Sequence, residues 1–338
     1  MKKADRLKKS LTSTVIATLV LAVGLALAAC SSSRSSDAGA GQFSLGYLAG
    51  AQDFSIYVME SQGFLERYGL KPKKFKFLNP PGVHLMIAEG QVDIGFGGFT
   101  TMAIARAQGR DVIVVHGIFS PVNVVFVRRD SSLQSLVDLK EKKLGIFGGP
   151  GSTTFAFLAV IASKWYGLDI YRDVELITAP GPVLSNLLDR GEIDAALMGT
   201  MESIKFSADR KYRVLVDLSG EYQKRQGLVP AHVTVSTSEK FATEHPEIVK
   251  GFIRAFRDAV NFSKNDSEIW ARYGATIGMN SEDEIDLLQQ KMTQNTIQSW
   301  DSEQIETQNQ YLRLVQSVLG DRVLSVIPEG LIRNDFNP

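Results

Sequence analysis

The chain has 338 residues, 37 basic and 37 acidic side chains, a formal charge of zero and one cysteine. A single cysteine excludes an intramolecular disulfide and any zinc site built from several cysteines. The charge balance argues against a nucleic-acid partner, which needs a concentrated basic face.

In chain order, the first thirty residues read as an address. Lys2, Lys3, Arg6, Lys8 and Lys9 form a basic start, and an apolar run follows from about Val15 to Leu27. This is the pattern of an export signal. The run ends in Leu27-Ala28-Ala29-Cys30, which resembles the bacterial lipobox. That resemblance implies removal of residues 1–29, lipid acylation of Cys30 and an extracytoplasmic protein held to a membrane. Removal takes five basic side chains and one Asp, leaving a formal charge of −4. Residues 30–42, rich in Ser and Gly, read as a flexible tether. The remaining three hundred or so residues suggest two domains.

The body is written twice. "LGYLAGAQDFSIY" from Leu45 is echoed by "LGIFGGPGSTTFA" from Leu144. Each unit then runs through an apolar-periodic helix to Tyr-Gly-Leu, at 68–70 and 166–168. A short strand and another helix follow, then "GQVDIGFGG" (90–98) or "GEIDAALMG" (191–199). A helix and an apolar strand, "DVIVVHG" or "YRVLVDL", close each unit. Alternating strands and helices predict two mainly parallel sheets covered on both faces. Gly69, Gly90, Gly167 and Gly191 sit where left-handed helix caps are needed. Asp93 and Asp194 are expected at matching places. Two extended segments, "GIFSPVNVVFVRRD" and "AHVTVSTSEKF", predict crossovers between two lobes. The expected division is 43–121 with 236–338 as lobe 1 and 122–235 as lobe 2, the helical tail packing back on lobe 1.

With the motifs "GFLERYGL", "GQVDIGF", "VFVRRDSSLQSLVDLKEKKLGI", "GEIDAAL" and "EKFATEHPEIVKGFIRAF" in this order, the chain resembles the substrate-binding proteins of nitrate/sulfonate/taurine-type ABC importers. That branch also includes binders of thiamine-precursor pyrimidines. The resemblance implies a bilobed type 2 periplasmic-binding-protein fold, α/β, with two doubly wound lobes. It also implies delivery of one small molecule to a membrane permease with a cytoplasmic ATPase. Two positions depart from the pattern. Glu141 stands where a glycine is usual, and Gly199-Thr200-Met201 replaces an acidic-Pro step.

Ligands of open α/β sheets bind beyond the carboxyl ends of the strands. The candidate site is therefore the set of loops after the repeated strands. In "FGGPGSTT" (147–154), Gly151, Ser152, Thr153 and Thr154 combine a helix N-terminus with hydroxyls. A helix cap is the bland alternative for Ser152. In the first unit the corresponding loop offers Gln52, Asp53 and Phe54. "GGFTT" adds Gly98, Phe99 and Thr100, and "MGTME" adds Thr200 and Glu202. Phe119 is a further candidate for an apolar wall. Ser120 and Asn123 in the first crossover are weaker candidates. No Lys or Arg lies in these loops, so the expected ligand is a small, singly charged organic anion of the sulfonate, taurine or nitrate kind. A neutral aminopyrimidine is the alternative if Asp53 and the phenylalanines line the cleft. The four histidines show neither metal spacing nor acid–base pairing, and no Gly-x-Ser-x-Gly elbow is present. A related fold-sharing enzyme, thiamine pyrimidine synthase, carries a cysteine-rich motif absent here. The expectation is accordingly a monomeric binding protein with no enzymatic activity, cofactor or metal. A ligand sensor for a membrane receptor is a further possibility of the same pocket.

Overall fold

The computed structural model describes residues 41–279 and 281–337. The expected signal, Cys30 and the tether up to residue 40 lie outside the described residues. The tether reading ends one residue late, because the first strand begins at Gln42.

The first half runs β1 (Gln42–Leu48), helices Ala51–Ser61 and Phe64–Arg67, β2 (Lys71–Phe77), helix Pro80–Ala88, β3 (Ile94–Gly98), helix Phe99–Ala107 and β4 (Ile113–Phe119). β5 (Val124–Arg128) crosses to the second half. There the order recurs: β6 (Lys143–Ile146), helices Thr153–Tyr166 and Ile170–Asp173, β7 (Glu175–Thr178), helix Gly181–Asp189, β8 (Ala195–Leu197), helix Thr200–Ala208 and β9 (Tyr212–Asp217). Helix Leu218–Gln226 leads to β10 (Val233–Thr237), which returns to the first sheet.

The sheet orders are β2-β1-β3-β10-β4 and β7-β6-β8-β5-β9. They match place for place. β1 pairs in parallel with β2 and β3, as β6 does with β7 and β8. β10 and β5 are the antiparallel members, each having arrived by a crossover from the opposite half. Both sheets are therefore mixed, where the alternation of elements predicted a mainly parallel pairing.

The repeated phrase has a structural cause. The Asp93 carboxylate accepts the Ser44 N–H at 2.6 Å, while the Asp93 N–H donates to the Ser44 carbonyl at 3.1 Å. Asp194 does the same with Lys143, at 2.8 and 2.9 Å. Each Asp thus pins the start of an inner strand to its neighbour and satisfies backbone groups that the short parallel ladder leaves over. The preceding glycines, Gly90 and Gly191, have φ of 62° and 70°, the left-handed conformation that ends the helix before each turn.

Two boundaries differ from the expected division. All of Val233–Thr237 belongs to the first sheet, so residues 233–235 do not sit with the second lobe's strands. The tail also divides. Helix Pro246–Asn265 buries Phe252, Ile253 and Phe256 in the core around the first sheet. Helix Ser302–Leu319 instead packs Tyr311 against Phe157 and Tyr222 of the second lobe. Tyr311 also reaches the Thr100 hydroxyl at 3.2 Å, so this helix ties both lobes.

Candidate functional site

Between the two sheets lies a cleft of about 320 Å³. Its walls are the loops at the carboxyl ends of β1, β2, β3, β6, β7 and β8, and its floor is the pair of crossovers. The crossovers are joined by the His232 N–H donating to the Phe119 carbonyl at 2.9 Å. Gln52, Gly98, Asn123, Ser152, Thr153, Thr154, Thr200 and Glu202 line the cleft, as does Phe119. The structure thus brings together eight of the fourteen expected ligand-site residues.

The other six are elsewhere. Asp53 turns outward to an ion pair with Lys76 at 2.7 Å. Phe54 stacks on Trp270 at 3.9 Å between ring centroids, inside the first lobe's core. Phe99 is fully buried, and the Thr100 hydroxyl is engaged by Tyr311. Ser120 donates to the Asn295 side-chain oxygen at 3.0 Å, away from the cleft. Gly151 borders an outer groove rather than the cleft.

Among the lining residues, several hydroxyls and amides already hold the protein together. Ser152 is the N-cap of helix Thr153–Tyr166: its oxygen accepts the Phe155 N–H at 3.2 Å and its proton goes to the Gly149 carbonyl at 2.8 Å. Gln52 turns its oxygen back to the Leu48 N–H at 2.7 Å. The Thr153 hydroxyl accepts the Thr101 N–H at 3.3 Å and lies 3.1 Å from the Thr101 hydroxyl, across the cleft. Gly98 permits this approach, since a Cβ there would lie 2.4 Å from the Thr153 hydroxyl oxygen.

Sequence reasoning missed two histidines. His84 and His232 both line the cleft, 148 positions apart in the chain and so without any spacing signal. The His84 Nε2 accepts the Gly98 N–H at 2.9 Å, which places the proton of the neutral ring on Nδ1. The His232 Nε2 lies 2.9 Å from the Thr154 hydroxyl. Burial lowers the His84 pKa to about 4. Burial, with a smaller contribution from His84, lowers that of His232 to about 3. Both rings are therefore neutral at neutral pH. Pro180, Gly181 and Pro182 were missed as well, although the repeat register places them opposite Pro80, which also lines the cleft. That signal was available in the sequence.

The electrostatics of the site are simple. No Lys or Arg is among its lining residues, and Glu202 is the one formal charge. The half-buried Glu202 carboxylate sits against the backbones of Gly181 and Gly199, where a Cβ would come within 2.4 and 2.9 Å of its oxygens.

Two similar sheets, joined by paired crossovers and closing on one cleft, define a bilobed α/β fold of the periplasmic-binding-protein type. Residues 51–268 match the NMT1/THI5-like family model, and the chain belongs to that family. The alkanesulfonate-binding protein SsuA of Xanthomonas axonopodis pv. citri superposes with a TM-score of 0.71 at 20% identity, over 87% of this chain and 98% of that one. SsuA of Escherichia coli gives 0.68 at 19%, over 86% and 90%. At these identities the likeness bears on the fold. Among curated relatives, the 4-amino-5-hydroxymethyl-2-methylpyrimidine phosphate synthase of Aspergillus parasiticus is 27% identical over 146 residues, 42% of this chain and 40% of that protein. A synthase of the same name from Saccharomyces cerevisiae is 21% identical over 243 residues, 64% of this chain and 65% of that protein. The chain thus spans less than two thirds of the length of these first relatives. The expectation of a chain with no enzymatic activity is corrected here: the curated relatives it matches carry an enzyme's name, and the missing cysteine-rich motif did not separate it from them.

Proposed function

We propose that this protein is an extracytoplasmic solute-binding lipoprotein that captures a small, N–H-bearing heterocycle of the aminopyrimidine kind and hands it to an ABC importer. The observation that carries the ligand class is the charge of the cleft, in which Glu202 stands without a lining cation. A sulfonate would be desolvated beside a carboxylate with nothing opposite in sign to offset it, and an uncompensated charge in such a site is heavily penalised. A neutral or cationic amine instead gives Glu202 a hydrogen-bond partner. In the sequence the aminopyrimidine reading is tied to Asp53 and the phenylalanines; of these only Phe119 lines the cleft, and Glu202 takes the place of Asp53 as the acidic group.

A second reading rests on helices Pro80–Ala88, Thr153–Tyr166, Gly181–Asp189 and Thr200–Ala208, whose N-terminal residues line the cleft. The positive ends of their dipoles favour an anion, although Pro80, Pro81 and Pro182 carry no N–H and those of Gly82 and Phe155 are already capped. Calorimetry with 4-amino-5-hydroxymethyl-2-methylpyrimidine, taurine, nitrate and an alkanesulfonate separates the two. The aminopyrimidine should bind, raise the melting temperature and lose roughly ten-fold or more in affinity in Glu202→Gln. Binding of the sulfonate alone, unchanged or tighter in Glu202→Gln, would reject the proposal. The membrane part rests on the signal-like start and Leu-Ala-Ala-Cys30. Cys30→Ala should release the protein or leave it unprocessed, as read by cell fractionation and the mass of the mature N-terminus. Delivery is checked by uptake of the same ligand in cells lacking the chain.

A further inference from the structure

The floor of the cleft contains a polar group that the fold holds in place without using. Asn123 lies in the first crossover, is 2% exposed and lines the cleft. Its side-chain Nδ2 donates to the Met198 carbonyl at 2.8 Å. A flip of the amide would set its oxygen against that carbonyl, two acceptors facing each other, so the hydrogen bond fixes which end is which. The Asn123 Oδ1 is then buried with no hydrogen-bond donor among the described residues. A buried carbonyl in this condition is a destabilising feature unless something supplies a hydrogen.

Nearby chemistry is complementary. The neutral His232 ring and the Thr154 hydroxyl share one contact, at His232 Nε2. If Thr154 donates, the buried His232 Nδ1 carries a hydrogen with no acceptor among the described residues. If His232 donates, the Thr154 hydroxyl hydrogen is left over instead. Either way the floor keeps one uncommitted donor and at least one uncommitted acceptor, the Asn123 Oδ1. Both belong to, or touch, the crossovers about which the lobes are joined, so a ligand that satisfies them bonds to the hinge itself.

From this geometry we infer that Asn123 is the specificity-determining residue of the cleft, an obligate acceptor that takes an N–H of the ligand and rejects analogues lacking it. The inference rests on the proposed ligand class and deepens it: Glu202 sets the tolerated charge, and Asn123 counts a donated hydrogen. A site built to receive a hydrogen bond discriminates strongly against a ligand that leaves its buried group unpaired.

The test compares 4-amino-5-hydroxymethyl-2-methylpyrimidine with the analogue that carries a methyl group in place of the amino group, by calorimetry on the full mature chain. The wild type should prefer the amino compound by at least about ten-fold, and Asn123→Leu should bring the ratio close to one. A ratio unchanged in Asn123→Leu overturns the inference while leaving the ligand class standing. Failure of both compounds to bind the wild type overturns both. Equal binding of both compounds by the wild type means that water alone serves Asn123, and the inference fails. Should Asn123→Leu not fold, carbon NMR of the Asn123 side-chain carbonyl in the wild type decides. Its resonance should move with the amino compound and stay with the methyl analogue; equal response to both overturns the assignment.

Discussion

The loops after β1 and β6 occupy the same place in the repeat and do opposite things. After β1, Gln52 folds back on Leu48, Asp53 turns out to Lys76 and Phe54 enters the core on Trp270. The helix there follows Gly50, φ 99°, as its N-cap residue, with no side-chain cap. After β6, Ser152 caps the helix, which frees Thr153 and Thr154 to reach across to Thr101 and His232. One loop serves its own lobe and the other bridges the cleft. Duplication thus fixed the scaffold, while the wall residues diverged. A symmetric sequence does not entail a symmetric site.

Titration separates the halves most sharply. The three buried histidines, His84, His116 and His232, lie on helix Pro80–Ala88 of the first half, on β4 and immediately before β10. Burial lowers the pKa of His84 and His116 to about 4 and that of His232 to about 3. Their ordinary value is near 6.5, so the unfolded chain takes up protons below that pH while the folded chain does not. Their contribution is complete above pH about 6.5 and is lost as pH falls toward about 4, at roughly 1.4 kcal/mol per pH unit for each ring. Denaturant melts between pH 7 and 4.5 should show this slope, and hydrogen exchange should show the first sheet loosening before the second. Stability flat down to pH 5 would mean that the rings are already protonated or exposed.

The matched aspartates test the shared part. Asp93 is half-buried and also engages the Ser44 hydroxyl, which accepts the Asp93 N–H and donates to its carboxylate. Asp194 is exposed and is given only the backbone pairing with Lys143. Asp93→Ala should therefore cost about 2–3 kcal/mol and Asp194→Ala about 1 kcal/mol in urea unfolding. Equal losses would show that the clamps have not diverged.

These cases also mark what the sequence could disclose. Strand order, helix stops and the duplicated register depend on local periodicity and glycine placement, which are written in adjacent residues. The cleft was less legible. Ser152 has the same appearance whether it caps a helix or meets a ligand, and here its oxygen caps the helix while its proton goes to the Gly149 carbonyl. Asp53 and Phe54 read as loop residues in the sequence, and only the third dimension reveals Lys76 and Trp270 beside them. His84 and His232 meet through the fold alone, and nothing in the β-branched run Val233–Thr237 itself tells which of the two sheets it joins.

Gly98→Ala probes the bridge itself. A methyl group there meets the Thr153 hydroxyl and the His84 ring, so it should prop the lobes apart and weaken ligand binding by about 1–2 kcal/mol. Small-angle scattering with ligand should show less compaction than in the wild type. Unchanged affinity with full compaction would place closure elsewhere.

The smallest expected effect concerns the entries to β1 and β6. Before β1 the chain uses Gly41 at φ 83°, whereas shortly before β6 it uses Glu141 at φ 61°. Among the described residues Glu141 is the one non-glycine with positive φ, and its N–H donates to the Asp173 carbonyl at 2.7 Å, holding the turn in place. The left-handed conformation costs a side-chain-bearing residue about 1–2 kcal/mol. Glycine removes that strain but has more unfolded-state freedom to lose, which offsets part of the gain. Glu141→Gly should thus stabilise the chain by about 0.5–1 kcal/mol, seen as a higher urea midpoint with an unchanged slope. Ligand affinity should not change, since Glu141 does not line the cleft. A loss of stability would show that the Glu141 side chain supports the turn, and that the second half departs from the first by adaptation rather than by tolerated strain.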